Sequence, residues 1–195
     1  MRIVGGKHRG RKLAAPQDER VRPTSDRARQ ALFNILEHRR LAVGGASPLI
    51  EARVVDLFCG TGALGLEALS RGASYAVFID SDAEALNAAR ANVHALGETS
   101  RVMLRQADAT QPGLPPGPCR IAFLDPPYRS GLAAPALTAL AAGGWLEPGA
   151  IAVVEMEARE DFMLPAGFAG VDERRYGRAK LVFLGFGASA RSSPC

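Results

Sequence analysis

Short apolar segments alternate with helical segments from residue 53 onward, and this alternation is the feature that most restricts the fold. A chain of this kind forms a parallel sheet covered by helices on both faces. Segment 168–186 departs from the alternation and predicts two antiparallel strands joined around Tyr176 and Gly177. We therefore predict an α/β fold with a mostly parallel sheet and an antiparallel hairpin at its edge. The predicted strands are 53–57, 75–80, 101–105, 120–124 and 150–155, and the predicted helices are 63–71, 83–96 and 132–142.

The composition fits one soluble domain of 195 residues. Hydrophobic residues make up 47% and charged residues 23%, which excludes a disordered or fibrous chain. No apolar run approaches the roughly 18 residues of a membrane span, and no signal-peptide core is present, so we expect a cytoplasmic protein. The three cysteines and three histidines are scattered, which argues against a metal site or a disulfide framework.

Basic residues concentrate at the amino-terminal end of the chain. Residues 1–40 hold eleven Lys or Arg and four Asp or Glu, whereas the remainder holds thirteen and sixteen. This asymmetry indicates either a polyanion-binding face or a solvated basic surface. Residues 2–15 predict a small basic β-hairpin, and Ser25 is expected to cap a helix that ends near Leu41. The predicted organisation is an extension at 1–24, a main domain at 25–186 and a disordered tail at 187–195.

The predicted helix after Ser25 carries an aromatic residue away from its apolar stripe. Ala28, Leu32 and Leu36 fall on one face with helical spacing. Phe33 lies near the opposite side of the helix, where the pattern asks for a polar residue. We expect Phe33 either to be covered by another element or to line a site.

A glycine-rich turn joins the first predicted strand to the next helix. Gly60, Gly62 and Gly65 form a G-x-G-x-x-G motif in the strand, turn and helix context of nucleotide-binding folds. Asp80 ends the second strand, twenty residues after Gly60, where its carboxylate could accept hydrogen bonds from both hydroxyls of a ribose. Asp82 is the near alternative. These features fit a dinucleotide and S-adenosylmethionine equally well.

Asp56 favours S-adenosylmethionine. Its carboxylate precedes Gly60 by four residues, close to the expected place of a dinucleotide's pyrophosphate, and it suits the ammonium group of a methionine moiety instead. Asp108, beyond the third strand, could accept a hydrogen bond from the adenine amino group. We therefore expect S-adenosyl-L-methionine as cofactor and S-adenosyl-L-homocysteine as product. The predicted cofactor-binding residues are Asp56, Phe58, Gly60, Thr61, Gly62, Asp80, Ser81, Asp108 and Ala109.

The tetrad Asp125-Pro126-Pro127-Tyr128 follows the apolar fourth strand. In a doubly wound sheet this strand lies beside the first, so the tetrad faces the crevice of the glycine turn. The Pro126 carbonyl and the Asp125 carboxylate can accept both hydrogens of a planar amino group, and Tyr128 offers a surface on which a base can stack. The tetrad predicts methyl transfer to an exocyclic amine, with either Asp125 or water taking the proton.

The tetrad, the glycine turn and the basic leader together resemble the RsmD family of bacterial 16S ribosomal RNA guanine-N2 methyltransferases. The resemblance covers residues 2 to about 186 and includes the leader from Arg2 to Leu13 and the segment Arg22-Pro-Thr-Ser-Asp-Arg-Ala-Arg-Gln-Ala-Leu-Phe-Asn34. It implies a Rossmann-like class I methyltransferase that modifies guanine 966 of 16S rRNA on an assembling small subunit. We expect a monomer that needs neither metal nor membrane.

The resemblance also implies roles for the basic residues and the tetrad. Cations of the leader would contact phosphates, which give affinity and salt dependence rather than sequence choice, and the pocket would select a flipped guanine. The helix after Ser25 would lie over the cleft. The implied RNA-binding residues are Lys7, Arg9, Arg11, Lys12, Arg22, Arg27, Arg29 and Phe33, and the implied catalytic residues are Asp125, Pro126, Pro127 and Tyr128.

Three other functions remain open at this stage. An adenine-N6 DNA or RNA methyltransferase would use the same tetrad, although the chain has no room for a large target-recognition insert. A catalytically silent RNA-binding assembly factor is disfavoured by the intact Asp125, Tyr128 and glycine turn. A nicotinamide dehydrogenase is disfavoured by Asp56 and by the lack of a residue suited to hydride chemistry.

Overall fold

A computed structural model describes residues 1–14, 26–38 and 47–187, which form four α-helices and seven strands. The helices are α1 (Asp26–His38), α2 (Ala63–Ser70), α3 (Ala83–Ala95) and α4 (Ala133–Ala142). The strands are β1 (Arg53–Leu57), β2 (Tyr75–Asp80), β3 (Val102–Gln106), β4 (Cys119–Leu124), β5 (Leu146–Glu157), β6 (Phe168–Tyr176) and β7 (Ala179–Phe186). No helix within these ranges is both long and apolar enough to cross a bilayer.

All seven strands belong to one sheet with the order β3-β2-β1-β4-β5-β7-β6. β3, β2, β1, β4 and β5 are parallel, whereas β7 pairs antiparallel with both β5 and β6. This topology confirms the predicted α/β fold with its antiparallel edge hairpin. The winding reverses between β1 and β4, and ligands of such sheets bind in the crevice at the carboxyl ends of the strands beside that reversal.

The two faces of the sheet bury separate apolar cores. In β4, Ile121 and Phe123 belong to one core and Ala122 and Leu124 to the other, and all four are fully buried. Helices α1, α2 and α3 cover the first face, and α4 together with Trp145 covers the second. Because both faces are covered, β2, β4 and β5 contain continuous apolar runs rather than an alternation of apolar and polar residues.

The leader (residues 1–14) packs against α2 and α3. The predicted hairpin is present in a reduced form, with one bridge between Arg2 and Lys12 and a 3-10 turn at Gly6–His8. Side chains of α2 and α3 bond to its backbone and take the place of a longer strand ladder. Ile3 and Leu13 are buried in the core of the first face, which ties the leader to the main sheet.

Phe33 is covered by the sheet. Its side chain is fully buried, and its ring lies 5.6 Å from the ring of Phe123 in β4, centroid to centroid. The guanidinium of Arg71 lies 5.1 Å from the ring centroid of Phe33. Phe33 is therefore covered by another element, the first of the two alternatives, although the helical pattern alone assigns its ring to the exposed side. Its implied contact with RNA stays a prediction.

Other details differ from the predictions or fall outside the described ranges. β5 begins at Leu146 and ends at Glu157, longer than the predicted 150–155, because β7 pairs with it as far as Glu157. The predicted cap at Ser25, the RNA contact of Arg22 and the tail after residue 187 lie outside the described residues.

Candidate active site

A cavity of about 530 Å³ opens at the carboxyl ends of β1, β2, β4 and β5. It lies at the reversal of strand order, where the topology favours ligand binding. The glycine turn and the tetrad both contribute to its walls, so the structure brings together two motifs that are more than sixty residues apart in sequence. The predicted residues that line it are Arg29, Asp56, Phe58, Gly60, Thr61, Asp80, Ser81, Asp125, Pro126, Pro127 and Tyr128.

Three predicted cofactor residues lie outside the cavity lining. Gly62 precedes the first residue of α2, with a φ of 76°. Asp108 is exposed, and its carboxylate accepts hydrogen bonds from the backbone N–H of Thr110 at 2.7 Å and from the hydroxyl of the same residue at 2.8 Å. Ala109 is buried in the core of the second face. Their contacts with a cofactor stay predictions.

The glycine turn presents bare backbone to the cavity. Gly60 has a φ of 53°, and a Cβ built there would meet no atom within 4 Å, so the space beside its α carbon is open. At Gly65, a Cβ would lie 2.0 Å from the ring of Phe78 in β2. The first glycine therefore leaves room for a ligand, and the third lets α2 pack closely against the sheet.

The two acids after β2 have different local roles. The Asp80 carboxylate accepts a hydrogen bond from the backbone N–H of Gly60 at 2.8 Å, which joins the end of β2 to the glycine turn. Asp82 precedes α3, and its carboxylate accepts a hydrogen bond from the backbone N–H of Glu84 at 2.8 Å. This is helix N-capping. Both acids line the cavity, and Asp80 is the one bonded to the glycine turn.

Asp56 is a buried carboxyl at the end of β1. Its side chain is 1% exposed and accepts a hydrogen bond from the backbone N–H of Gly65 at 2.9 Å. Burial raises the pKa of Asp56 to about 8, the Gly65 N–H opposes the rise, and the charge of Asp80 adds to it. A cation bound in the cavity would stabilise the ionised form of Asp56.

These residues fit S-adenosylmethionine. The cavity volume lies within the range of small-molecule sites, about 300 to 1,000 Å³. The open space at Gly60 admits a ligand against the backbone, Asp80 offers carboxylate oxygens to hydroxyl groups, and Asp56 offers a counter-charge to an ammonium group. Asp56, Gly60 and Asp80 are the residues that would hold it.

The tetrad closes the cavity beside the glycine turn. Asp125 follows β4, and its backbone N–H lies 3.5 Å from the carbonyl oxygen of Leu57 in β1. Tyr128 is 39% exposed, at the rim of the cavity. The next residue, Arg129, has a φ of 58°, and its guanidinium forms two bonds to the Glu157 carboxylate, at 2.5 and 2.9 Å. This ion pair ties the loop after the tetrad to the end of β5.

Glu155 is a cavity residue that the sequence reasoning missed. It lies in β5 with a side chain 6% exposed and lines the cavity together with Asp125. The residues of β5 before Glu155 are apolar, and a single glutamate at the end of such a run does not by itself indicate a functional site. The available signal is that four neighbouring strands each carry an acid at their carboxyl end: Asp56, Asp80, Asp125 and Glu155.

The cations expected to bind RNA are not equivalent. The Lys7 ammonium pairs with Glu98 at 2.7 Å, and the Arg11 guanidinium donates to the carbonyl oxygen of Ala95 at 2.8 Å. Arg9, Lys12 and Arg27 are exposed. Arg9 and Arg27 also line a second groove of about 350 Å³, between the leader and the start of α1.

Arg29 is fully buried rather than exposed to RNA at the surface. Its guanidinium donates to the carbonyl oxygen of Arg2 at 2.5 Å and to the Asp26 carboxylate at 2.6 Å. It also borders the cavity. α1 and the leader enclose the side chain, and its implied contact with RNA stays a prediction.

Asn92 joins the leader to the glycine turn. This α3 side chain is 2% exposed, and its amide oxygen accepts a hydrogen bond from the backbone N–H of Ala14 at 2.7 Å. Its amide nitrogen donates to the carbonyl oxygens of Ala14 and Thr61, both at 3.0 Å. Thr61 lines the cavity, so one buried amide links the basic leader to the cavity wall.

The sheet order, the glycine turn and the tetrad at one cavity define a class I methyltransferase. The sequence matches the family described as Conserved hypothetical protein 95 over residues 1–185. Ribosomal RNA small subunit methyltransferase D of Escherichia coli strain K12 is 39% identical over 160 residues, which cover 80% of this chain and 75% of that protein. The protein of the same name from Haemophilus influenzae is 32% identical over 188 residues, which cover 91% and 89%.

A solved structure has the same architecture. The structure of yhhF from Escherichia coli superposes with a TM-score of 0.82 at 33% identity, covering 97% of this chain and 99% of that one. The chain therefore belongs to the RsmD family of S-adenosylmethionine-dependent methyltransferases.

Proposed function

We propose that this protein transfers a methyl group from S-adenosylmethionine to the exocyclic N2 of a guanine in 16S rRNA, of the guanine 966 type, on an assembling small ribosomal subunit. The observation that carries the proposal is that the tetrad opens into the cavity of the glycine turn, Asp56 and Asp80. The names of the two ribosomal RNA methyltransferases above support RNA of the small subunit as the substrate.

The acidic wall of the cavity suits a positively charged cofactor. When bound, the cofactor supplies an electrophilic methyl group on a sulfonium. Asp56 binds the ammonium group, Asp80 accepts hydrogen bonds from the ribose hydroxyls, and the backbone at Gly60 allows close approach. Phe58, Thr61 and Ser81 line the rest of this side.

The tetrad acts on the amine of the target base. That amine is a weak nucleophile because its lone pair is delocalised into the ring. The Asp125 carboxylate and the Pro126 carbonyl accept its two hydrogens and favour a pyramidal nitrogen, while the Tyr128 ring stacks on the base. The nitrogen lone pair forms the new N–C bond, the bonding pair of the broken C–S bond goes to sulfur, and the proton passes to Asp125 or to water. Positioning and fixed electrostatics supply the acceleration.

The exposed cations of the leader and of α1 bind the RNA backbone. Arg9, Lys12 and Arg27 are exposed around the leader and the start of α1, and phosphate contacts of this kind add affinity without reading sequence. Selection of the base is left to the cavity, which accepts a nucleotide turned out of its stack.

The test is methylation of small ribosomal subunits from a strain that lacks the endogenous enzyme. Purified protein is incubated with labelled S-adenosylmethionine, the RNA is digested and the labelled nucleoside is identified. We expect N2-methylguanosine at one position. Label in N6-methyladenosine would overturn the base assignment, and no label from protein that binds S-adenosylhomocysteine would overturn the substrate.

An Asp125→Ala variant tests the tetrad in the same assay. We expect S-adenosylhomocysteine binding to persist and the methylation rate to fall by about 10² to 10³, the scale for loss of one positioned polar group. Glu84→Ala removes an exposed carboxylate from α3, outside the cavity lining, and serves as the matched control. An Asp125→Ala rate equal to that of the control would contradict the role of Asp125.

A further inference from the structure

Glu155 is a cavity carboxylate that the proposed methyl transfer does not use. The residues before Asp125 and Glu155, Leu124 and Val154, face each other in register on the parallel strands β4 and β5. Neighbouring strands lie about 4.8 Å apart, and side chains of equivalent residues point to the same face. Both acids also line the cavity. Asp125 and Glu155 therefore follow paired positions on neighbouring strands and share the cavity wall.

The charge of the wall limits what can bind against it. Five acids line the cavity, Asp56, Asp80, Asp82, Asp125 and Glu155, against two cationic groups among the described lining residues, the Arg29 guanidinium and the amino terminus of Met1. An ionised carboxylate is only an acceptor of hydrogen bonds. A base whose polar edge carries several adjacent N–H donors is favoured here, whereas a ring nitrogen with a lone pair is repelled.

Guanine matches this arrangement at the atoms next to the reacting amine. Its N2 carries two hydrogens, and the adjacent N1 carries a third. In adenine, the ring nitrogen next to the exocyclic amine holds a lone pair and no hydrogen. If Asp125 holds the amine, N1 of the base faces the Glu155 carboxylate. That carboxylate can accept a hydrogen bond from N1–H of guanine, but it repels the N1 lone pair of adenine.

We propose that Glu155 determines base specificity by accepting a hydrogen bond from N1–H of the target guanine while Asp125 holds the N2 amine. The inference rests on the proposed function, because it assumes that a base amine is held at the tetrad. It adds a reason, found in the cavity itself, for guanine rather than adenine as the target.

The probe of this contact is 2-aminopurine. It carries the same N2 amine as guanine, but its N1 has a lone pair in place of the hydrogen and it lacks O6, so the change in base preference between the wild type and the Glu155 variants is what reports the N1 contact. The base is placed at the target position by ligating a synthetic segment into 16S rRNA, which is then assembled into small subunits. Values of kcat/KM for guanine and 2-aminopurine substrates are measured with the wild-type protein and with Glu155→Gln.

We expect the wild-type protein to prefer guanine by at least about 10²-fold, because a site built to bond a polar hydrogen rejects an analogue that lacks it. Glu155→Gln places an amide that can donate to N1 of 2-aminopurine, so the preference falls at least tenfold or inverts. Binding of S-adenosylhomocysteine is expected to stay within twofold of the wild type. Glu84→Gln, the matched control on α3, keeps the wild-type preference.

Glu155→Asp keeps an acceptor and provides the second test. It is expected to retain the preference for guanine at a lower rate, and it serves as the deciding variant if Glu155→Gln does not fold. Equal losses on both bases in Glu155→Gln, or a lost preference in Glu155→Asp, would refute the assignment while leaving the proposed function intact. Absence of guanine methylation by the wild-type protein would instead refute the proposed function.

Discussion

Replacing Asn92 by alanine is expected to lower the free energy of unfolding by about 3 kcal/mol. The Asn92 amide is buried and makes three hydrogen bonds, one from the N–H of Ala14 and one each to the carbonyls of Ala14 and Thr61. An intramolecular hydrogen bond contributes about 1 kcal/mol net, and a buried partner left unsatisfied costs at least as much. In a chain of this size, about 3 kcal/mol corresponds to a fall in Tm of roughly 6 to 12 °C.

The measurement is thermal unfolding followed by circular dichroism, with and without S-adenosylhomocysteine. Asn87→Ala is the matched control, because Asn87 lies on the same helix, is exposed and accepts a single hydrogen bond from Arg90. Its effect should stay within about 0.5 kcal/mol. Since Thr61 loses a partner in Asn92→Ala, the affinity for S-adenosylhomocysteine should also fall. If Asn92→Ala unfolds at the same temperature as Asn87→Ala, the three hydrogen bonds of Asn92 do not stabilise the attachment of the leader to the glycine turn.

Three further predictions concern the glycine turn and the buried acids. Gly65→Ala is expected to lower the free energy of unfolding by about 2 kcal/mol, because the added methyl group overpacks against Phe78. Gly170→Ala, whose Cβ meets no atom within 4 Å, should lower it little. Urea unfolding of both variants checks this. Burial raises the pKa of Glu98, but hydrogen bonds from the side chains of Lys7, His8 and Arg101 outweigh it and bring the pKa to about 2. The stability that Glu98 contributes is therefore present above its ordinary pKa and is lost as the pH falls toward about 2. The difference in unfolding free energy between the wild type and Glu98→Gln should shrink over that pH interval. A difference that stays constant would contradict this. Burial raises the pKa of Asp56 to about 8, so the unliganded protein should lose stability as the pH rises from about 4 to about 8. Asp56→Asn should remove this dependence of the unfolding free energy on pH. If the dependence is unchanged in Asp56→Asn, another group causes it.

The sequence pattern around each strand end is enough to predict the site residues that lie at that strand end. Asp56, Gly60 and Asp125 each occur where an apolar strand stops and a turn begins, so their exposure to one crevice follows from the order of strands and helices. Glu155 occupies an equivalent position, but nothing in its local sequence separates it from an acid at the surface. Its place beside Asp125 depends on the pairing of β4 with β5.

The leader illustrates the opposite case. The basic residues at the amino-terminal end predict a polyanion-binding surface, yet Lys7 of the leader pairs with the buried Glu98, and the buried Arg29 of α1 is held by Arg2 and Asp26. Asp26 lies on the same helix as Arg29, whereas Glu98 and the Arg2 carbonyl lie on other segments and are brought close only by packing. The RNA-binding role of the exposed leader cations and the division of the chain at residues 24 and 25 both stay predictions.

By itself, the sequence determined the α/β class, the positions of the strands and helices, and the two motifs of the cavity, because apolar periodicity, glycine and proline act over a few neighbouring residues. Only the tertiary structure decided which charged side chains are buried, that Phe33 packs on Phe123, and that Asn92 bonds both the leader and the glycine turn. These outcomes depend on contacts between residues far apart in the chain, which local periodicity does not encode.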